Sequence, residues 1–540
     1  METDDIKSEL AAATEKILKS ESPKKLVVAG PGAGKTFLFR RLLDAAKGDP
    51  TERLVVTFIG VLKGDLEREL GAVAHVFTLH GYCQYLLHQI AALRQGLPET
   101  FSCYPGLRSI IPKDWEYIRD LAAPHFVQLM RDLECAEEQA TFYVERTNFY
   151  GAVDFDDSVF RVNTEFKRDP SLAPAYTLVL IDEFQDFNRL EASIIDSLAA
   201  NNAIVIAGDD DQALYSQFRG ASWDYIRAHH RSGEYEVFEL PFCMRCPEVI
   251  VDAVNDIVAV ARKNNKLDGR IAKPYRYYEP LKGADSAKYP HIEIVETTVQ
   301  RANANYFGKY IEECIRALPD ADVALAAEKH EPVAMIIGSN PYRRQVEDHL
   351  IGVGLLKPRE ELGVSEREKA LQILGIDPDS NLGWRIILNL GRESVARALV
   401  RRAFDEDVPL GAVIPPEERA SVLAEAAAWE ADHAVIDLSE EPLEAEQSIA
   451  VTSYEGSKGR SAQHVFLIGM HSGELPADPA SIKDLEICKL LVGLTRTKKH
   501  CSILVAGNAL GKFKKRSEFI SWIKPDRFHT TKIDASHWKT

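Results

Sequence analysis

Short apolar runs recur along this chain, separated by longer stretches whose apolar residues fall at helical spacing. Leu26-Val27-Val28, Arg53-Leu-Val-Val-Thr57-Phe58, Val76-Phe-Thr78-Leu-His80-Gly81, Thr177-Leu-Val-Leu-Ile181 and Ala203-Ile-Val-Ile-Ala207 predict strands. Runs that are apolar at every position, like the last two, mark parallel strands buried on both faces. Residues 1–22 (Ile6, Leu10, Ala13, Ile17, Leu18) predict an amphipathic helix that ends near Ser22-Pro23. Between about 82 and 150 the pattern turns helical, with aromatics and few strand signals. A second rhythm starts near Tyr235 with Glu236-Val-Phe-Glu-Leu240. It continues through His291-Ile-Glu-Ile-Val295, Pro332-Val-Ala-Met-Ile-Ile337, Ser448-Ile-Ala-Val451, His464-Val-Phe-Leu-Ile468 and Cys501-Ser-Ile-Leu-Val505. Charged helical sequence, including Ala424-Glu-Ala-Ala-Ala428, interrupts it from 346 to 446. Strands alternating with helices predict an α/β fold of two cores. The first core is expected over 1–81 and 151–234 with a helical insertion at 82–150. The second is expected over 235–345 and 447–540 with an insertion at 346–446.

The loop after the first strand carries the clearest chemistry. Ala29-Gly30-Pro31-Gly32-Ala33-Gly34-Lys35-Thr36 joins an apolar run to a helical pattern beginning at Phe37. Its glycines permit positive φ and close backbone approach, so that several N–H groups converge on a polyphosphate at a helix N-terminus. Lys35 is then placed to reach the β/γ-phosphates and the Thr36 hydroxyl to ligate Mg²⁺. Asp182 and Glu183 follow directly on the buried strand ending at Ile181. A carboxylate at that strand end is suited to hold a metal, and its neighbour to act as general base on water. Gln212 ends Gly208-Asp-Asp-Asp-Gln212 after the next strand, where it can sense a γ-phosphate.

Size and charge restrict the setting. A chain of 540 residues exceeds one core and predicts about three to four domains. No apolar run reaches membrane-spanning length, and Met1-Glu2-Thr3-Asp4-Asp5 is unlike a secretory leader, so a cytoplasmic protein with no membrane partner is expected. The eight cysteines are scattered, as in a reducing compartment. Cys243-Met-Arg-Cys246 is a lone CxxC without a second pair at metal spacing. The net charge of −17 excludes a surface that coats nucleic acid broadly, but it allows a narrow basic track.

Taken in order, these segments resemble the UvrD/Rep group of superfamily 1 DNA helicases. The signatures are Ala29 to Thr36, Thr78-Leu-His80-Gly81, Asp154-Phe-Asp-Asp157, Asp182-Glu-Phe-Gln-Asp186 and Gly208-Asp-Asp-Asp-Gln212-Ala-Leu-Tyr215. Arg245, Ser453-Tyr-Glu-Gly-Ser-Lys458-Gly459 and Val492-Gly-Leu-Thr495-Arg496-Thr497 complete a set spanning roughly 25 to 510. The resemblance implies two RecA-like P-loop NTPase cores, 1A and 2A, with mainly helical inserts 1B and 2B. It implies ATP and Mg²⁺ between the cores: Lys35 and Thr36 on phosphate and metal, Asp182 on the metal, Glu183 activating water. Gln212 would report the γ-phosphate, and Arg245 and Arg496 would act as arginine fingers. Lys458, beside Gly459, would link DNA to the nucleotide. Single-stranded or partly duplex DNA would cross both cores, with Phe58, His80, Tyr215, Phe218 and Arg219 as candidate contacts; for Phe58 a core role is equally expected. Translocation with 3′ to 5′ unwinding follows by resemblance.

The departures from that pattern cluster. The N-terminal helix lacks a Gln to read adenine, with Thr14 or Glu15 near its place; Phe37 stands where close relatives often have Arg; Met244 replaces a base-stacking Tyr; and Ser461 replaces a ribose-facing Glu. Phosphate and metal groups are thus kept while base and ribose groups change, which predicts an apolar slot of Phe37 and Met244 that accepts other NTPs besides ATP. On the DNA side, the Tyr215 to Ala221 segment is one residue longer than usual, and Thr57-Phe-Ile-Gly-Val-Leu-Lys63 lacks the usual motif Ia. The short inserts suit an inefficient unwinder. A second reading is therefore a DNA-end or nucleotide sensor that regulates a partner nuclease. Small helicases of this kind resemble the helicase-like component of antiphage systems such as Gabija. With so few residues after 510 a fused nuclease is not expected, and the tail from Pro525 to Thr540 is expected to fray.

Overall fold

The computed structural model describes residues 3–58, 60–215, 220–297, 306–358, 364–432, 448–509, 512–533 and 537. Two six-stranded parallel sheets organise it. The first comprises β1 (Lys24–Ala29), β2 (Arg53–Thr57), β3 (His75–Thr78), β4 (Leu178–Ile181), β5 (Ile204–Gly208) and β6 (Glu236–Leu240), in spatial order β3-β2-β4-β5-β1-β6. The second comprises β7 (Ile292–Thr297), β8 (Ala334–Ile337), β9 (Ile449–Thr452), β10 (Ala462–Ile468), β11 (Thr497–Ala506) and β12 (Phe528–Ile533), in order β9-β8-β10-β11-β7-β12. Numbered within each sheet, the two orders are the same.

Both faces of each sheet are covered. Along β1, Leu26 and Val28 enter one hydrophobic layer, while Val27 and Ala29 enter the other. Along β8, Met335 and Ile337 face one layer, and Ala334 and Ile336 the opposite one. Side chains that alternate between two buried faces explain why these strands read as unbroken apolar runs.

Helices dominate both segments that interrupt the sheets. The first contains Leu107–Arg119, Phe126–Arg131 and Glu137–Tyr150; the second contains Glu366–Ile376, Asn381–Leu390, Glu393–Asp405 and Pro416–Asp432. The two segments pack on each other around Asp114, which is fully buried. Its carboxylate accepts from Arg146 at 3.0 Å and from Arg385 Nε at 2.9 Å, and from the Tyr150 hydroxyl. At the rim of this contact Arg397 pairs with Asp120 at 2.7 Å.

Several boundaries differ from the sequence expectation. Glu236–Leu240 does not open the second core: it pairs in parallel with β1 as an edge of the first sheet. The exposed Glu236 and Glu239 keep charge on that edge, as an edge strand requires. The expected strand Val76–Gly81 stops at Thr78, whose hydroxyl accepts the Gly81 N–H at 3.1 Å and caps the helix Leu79–Gln89. That helix crosses the expected boundary at 82, and the helix Asn340–Gly352 crosses the one at 346. The C-terminal segment is not simply frayed. Phe528–Ile533 pairs along β7, Ile533 is buried, and the Thr531 hydroxyl donates to Glu293 at 3.1 Å. Its β-branched Thr530, Thr531 and Ile533 favour a strand, which outweighs the terminal position.

Candidate functional site

The phosphate loop leaves the carboxyl end of β1 and enters the helix Lys35–Ala45. Gly32 and Gly34 adopt φ of 69° and 83°, which side-chain-bearing residues rarely adopt. They also allow close approach from the other half of the molecule. A Cβ on Gly32 would lie 2.5 Å from Arg245 Cβ, and one on Gly34 would lie 2.1 Å from Met244 Cε. The Met244 N–H donates to the Gly32 carbonyl at 2.8 Å, and the Tyr275 hydroxyl donates to the Pro31 carbonyl at 3.2 Å.

Asp182 and Glu183 follow β4, and their environments push them apart. Burial and the adjacent Glu183 raise Asp182 to about 6. Burial would raise Glu183 too, but Lys35 and Lys458 outweigh it and hold that carboxyl at about 2. Lys35 Nζ lies 3.0 Å from Glu183 Oε1. Glu183 has a φ of 52°, an uncommon backbone state for a non-glycine residue and one that concentrates at functional sites. Asp182 Oδ1 is buried without a hydrogen-bond partner. An orphaned carboxylate oxygen close to the start of the Lys35 helix, where Thr36 sits, fits a Mg²⁺ ion.

Residues of the second half complete the cluster. Lys458 is buried, pairs with Asp186 at 2.5 Å, lies 3.9 Å from Glu183 and donates to the Gln212 carbonyl. Arg496 Nη2 donates to Gln212 Oε1 at 3.0 Å, while its other nitrogens bond the Val492 and Arg460 carbonyls. Arg245 donates to the Thr495 carbonyl at 3.3 Å. Burial and the neighbouring Arg245 pull Arg496 down to about 9. Two adjacent guanidinium groups held mainly by carbonyls make a strong site for an anion.

Asp209, Asp210 and Asp211 cluster closely enough to suggest a metal site, but protein cations fill it. Lys273 Nζ lies 2.6, 3.0 and 2.8 Å from the three carboxylates; Arg227 bonds Asp210 at 2.9 Å and Arg270 bonds Asp211 at 2.7 Å. The same Asp209 accepts from Gln212 Nε2 at 2.8 Å. Lys273 thus supports the side chain that Arg496 reaches.

The chain is similar to known DNA helicases over part of its length. Residues 10–120 and 130–232 match the UvrD/REP helicase N-terminal domain. The ATP-dependent DNA helicase UvrD1 of Mycobacterium tuberculosis is 28% identical over 291 residues, covering 44% of this chain and 38% of that protein. DNA helicase II of Escherichia coli is 27% identical over 311 residues, covering 49% and 43%. A probable DNA helicase II homolog of Mycoplasma capricolum is 22% identical over 427 residues, covering 69% and 55%. The chain is UvrD/Rep-like. It spans about half or less of the length of these curated relatives.

The DNA-side candidates of this UvrD/Rep-like chain fare unevenly. Tyr215 is half-buried; its hydroxyl donates to the Glu455 carbonyl at 3.1 Å, and its ring lies under Lys458. His80 sits in the first turn of its helix, 3.3 Å from Glu191. Phe58 is corrected to a core role: it is only 4% exposed, edge-on to Phe187 and against Tyr215, too enclosed to stack on a base. Phe218 and Arg219 lie outside the described residues. Phe37 is 58% exposed beside the loop, and Met244 is half-buried against Gly34. Thr14 donates to the Leu10 carbonyl, and Glu15 pairs with Lys19 at 3.2 Å.

Sequence reasoning missed a cavity of about 260 Å³ at the carboxyl ends of β8, β9 and β10, lined by Ser339, Asn340, Arg343, Ser453, Glu455 and Lys489. The Ser339 hydroxyl is buried there without a partner, before the helix Asn340–Gly352. Ser-Asn-Pro following an apolar run was the available signal for this helix start. Among the described residues no helix is long and apolar enough to cross a membrane.

Proposed function

We propose that the chain is an NTP-driven DNA helicase of the UvrD/Rep type, hydrolysing ATP to translocate along single strands 3′ to 5′. The observation that carries this reading is the continuous polar chain across the cleft: Lys35–Glu183–Lys458 on one side and Gln212–Arg496 on the other. A polyphosphate entering the loop competes with Glu183 for Lys35, and the released carboxylate can orient and deprotonate the attacking water. Thr36 and Asp182 are suited to hold Mg²⁺, which supplies neutralisation of charge on the phosphate oxygens. Arg245 and Arg496 meet the charge that grows on the transferring phosphoryl group, and Gln212 joins that event to the first core. Lys458 touches both Asp186 and the Gln212 carbonyl, so movement of the loop that bears it is felt at the water-activating side.

In this reading the sheet of β1–β6 is core 1A and that of β7–β12 is core 2A, with the helical segments as 1B and 2B. DNA phosphates are taken by the cavity around Ser339, Asn340 and Arg343, where a helix N-terminus and a guanidinium favour anions. His80 and Tyr215 continue the track on 1A. The test is hydrolysis by the purified chain with and without single-stranded DNA, followed by strand separation on a duplex with a 3′ overhang. DNA is expected to stimulate hydrolysis about tenfold or more, since closing the cleft assembles the cationic groups. Hydrolysis that ignores DNA would overturn the motor. Stimulated hydrolysis without strand separation would favour the regulator of a partner nuclease.

In this reading the exposed Phe37 and the half-buried Met244 against Gly34 offer the base apolar surface rather than a hydrogen-bonding edge. Apolar contact discriminates weakly between bases of similar shape. ATP, dATP and GTP are expected to give kcat/KM values within about tenfold of one another. Steady-state phosphate release measures this, and strict ATP selectivity would overturn the slot.

A further inference from the structure

The cysteine pair flanking Arg245 is not used by the reaction above, yet it lies at the seam of the cleft. Cys243 and Cys246 are both fully buried. The Cys246 N–H donates to Cys243 Sγ at 3.4 Å. A Cβ on Gly32 would lie 3.1 Å from Cys243 Sγ, so the phosphate loop is the cover over this sulfur. Cys246 Sγ donates to the Thr495 carbonyl at 3.6 Å, the same carbonyl that anchors Arg245 at 3.3 Å. Pro247 then caps the 16-residue helix Glu248–Lys263, whose N-terminus favours negative charge on the nearby sulfurs.

We infer that Cys243 and Cys246 close into a reversible disulfide that withdraws Arg245 from the nucleotide site, making the cleft sensitive to small-molecule disulfides. Closure turns Cys246 Sγ toward Cys243 and away from the Thr495 carbonyl. Arg245, held between the two sulfurs in sequence, is re-aimed with the turn. The thiols differ in a way that suits the exchange. Burial raises Cys243, but hydrogen bonds from Cys246, Tyr275 and backbone N–H groups more than offset it and bring the thiol to about 6. Burial leaves Cys314 at about 11 and Cys501 at about 12. Once the cleft opens and the phosphate loop lifts from it, the Cys243 thiolate attacks one sulfur of the oxidant, forming a mixed disulfide and expelling one thiolate. Cys246 then loses its proton and attacks Cys243 Sγ, expelling the second thiol. Two protein thiols are oxidised and one external disulfide is reduced to two thiols.

The effect on hydrolysis rests on the NTPase reading, whereas formation of the bond does not. The chain is incubated with oxidised glutathione, remaining thiols are blocked with N-ethylmaleimide, and the protein is digested with trypsin. Cleavage after Arg245 separates the two cysteines, so a disulfide is read as the peptide ending in Arg245 linked to the one beginning at Cys246. The expected result is this linked pair together with a loss of hydrolysis of about tenfold or more, restored by dithiothreitol. Cys243→Ser, which removes the attacking thiolate and leaves Cys246 protonated by its burial, is expected to lose both the link and the response to oxidant, measured against its own reduced rate. Absence of the linked pair, an unchanged rate when it is present, or inactivation of Cys243→Ser by the oxidant would each overturn the inference. No hydrolysis in the reduced wild-type chain would strike the NTPase reading alone; the consequence of the link is then read from binding of a fluorescent ATP analogue.

Discussion

Lys35→Ala is expected to lower the rate of NTP hydrolysis by about 100-fold or more, with Glu183→Gln equally damaging. The two substitutions reach that result by different routes. Lys35 is the half-buried cation nearest Glu183, at 3.0 Å, and is also the group aimed at the phosphates. Its removal leaves Glu183 with Lys458 at 3.9 Å and deprives the loop of its charge. Nucleotide affinity should therefore fall along with turnover. Glu183→Gln keeps the shape and the charge of Lys35 but cannot accept a proton, so nucleotide should bind as in the wild type while turnover stops. The check is single-turnover phosphate release alongside equilibrium binding of a fluorescent ATP analogue. If Glu183→Gln turned over within about fivefold of wild type, far less than loss of a general base costs, Glu183 would not be the base.

That contrast reflects which parts of the molecule are written locally in the chain. The central strands of each sheet could be read from their apolar runs because a parallel strand buried on both faces has few polar positions to obscure it. The glycine-rich loop, the paired carboxylates and Gln212 could be read because each depends on a few adjacent residues at a strand end. Assignments failed where a neighbour in space decided the outcome. Val237 and Phe238 looked like the opening of a new core, yet the nearest available edge was β1. Phe58 could not be told from a stacking residue until Phe187 and Tyr215 closed around it. Nothing in the local sequence joins Asp114 to Arg385, which meet in a buried bond 271 positions apart. Nothing beside Asp209, Asp210 and Asp211 in sequence announces Lys273, their common partner, which lies more than sixty residues downstream.

Lys273→Met tests that last contact, and its expected effect on stability is the largest of any single surface-to-core contact discussed. The methionine fills the volume of the lysine stem but leaves three buried carboxylates. Asp210 keeps Arg227 and Asp211 keeps Arg270, whereas Asp209 loses the ammonium at 2.6 Å. Breaking one side of a buried ion cluster costs roughly 3–5 kcal/mol, which for a chain of this length corresponds to a melting midpoint lower by roughly 3–5 °C. Hydrolysis should also fall, because Asp209 holds the Gln212 amide at 2.8 Å and Arg496 depends on the other end of that side chain. A charge imbalance can be separated from lost packing by adding Asp209→Asn. The amide no longer needs the cation, so the double variant should melt well above Lys273→Met alone, with a coupling of about 1–3 kcal/mol. Melting of the double variant at or below the single one would mean that the lysine acts by filling space rather than by charge. In that case the support of Gln212 would have to be sought in Arg270 and Arg227 instead.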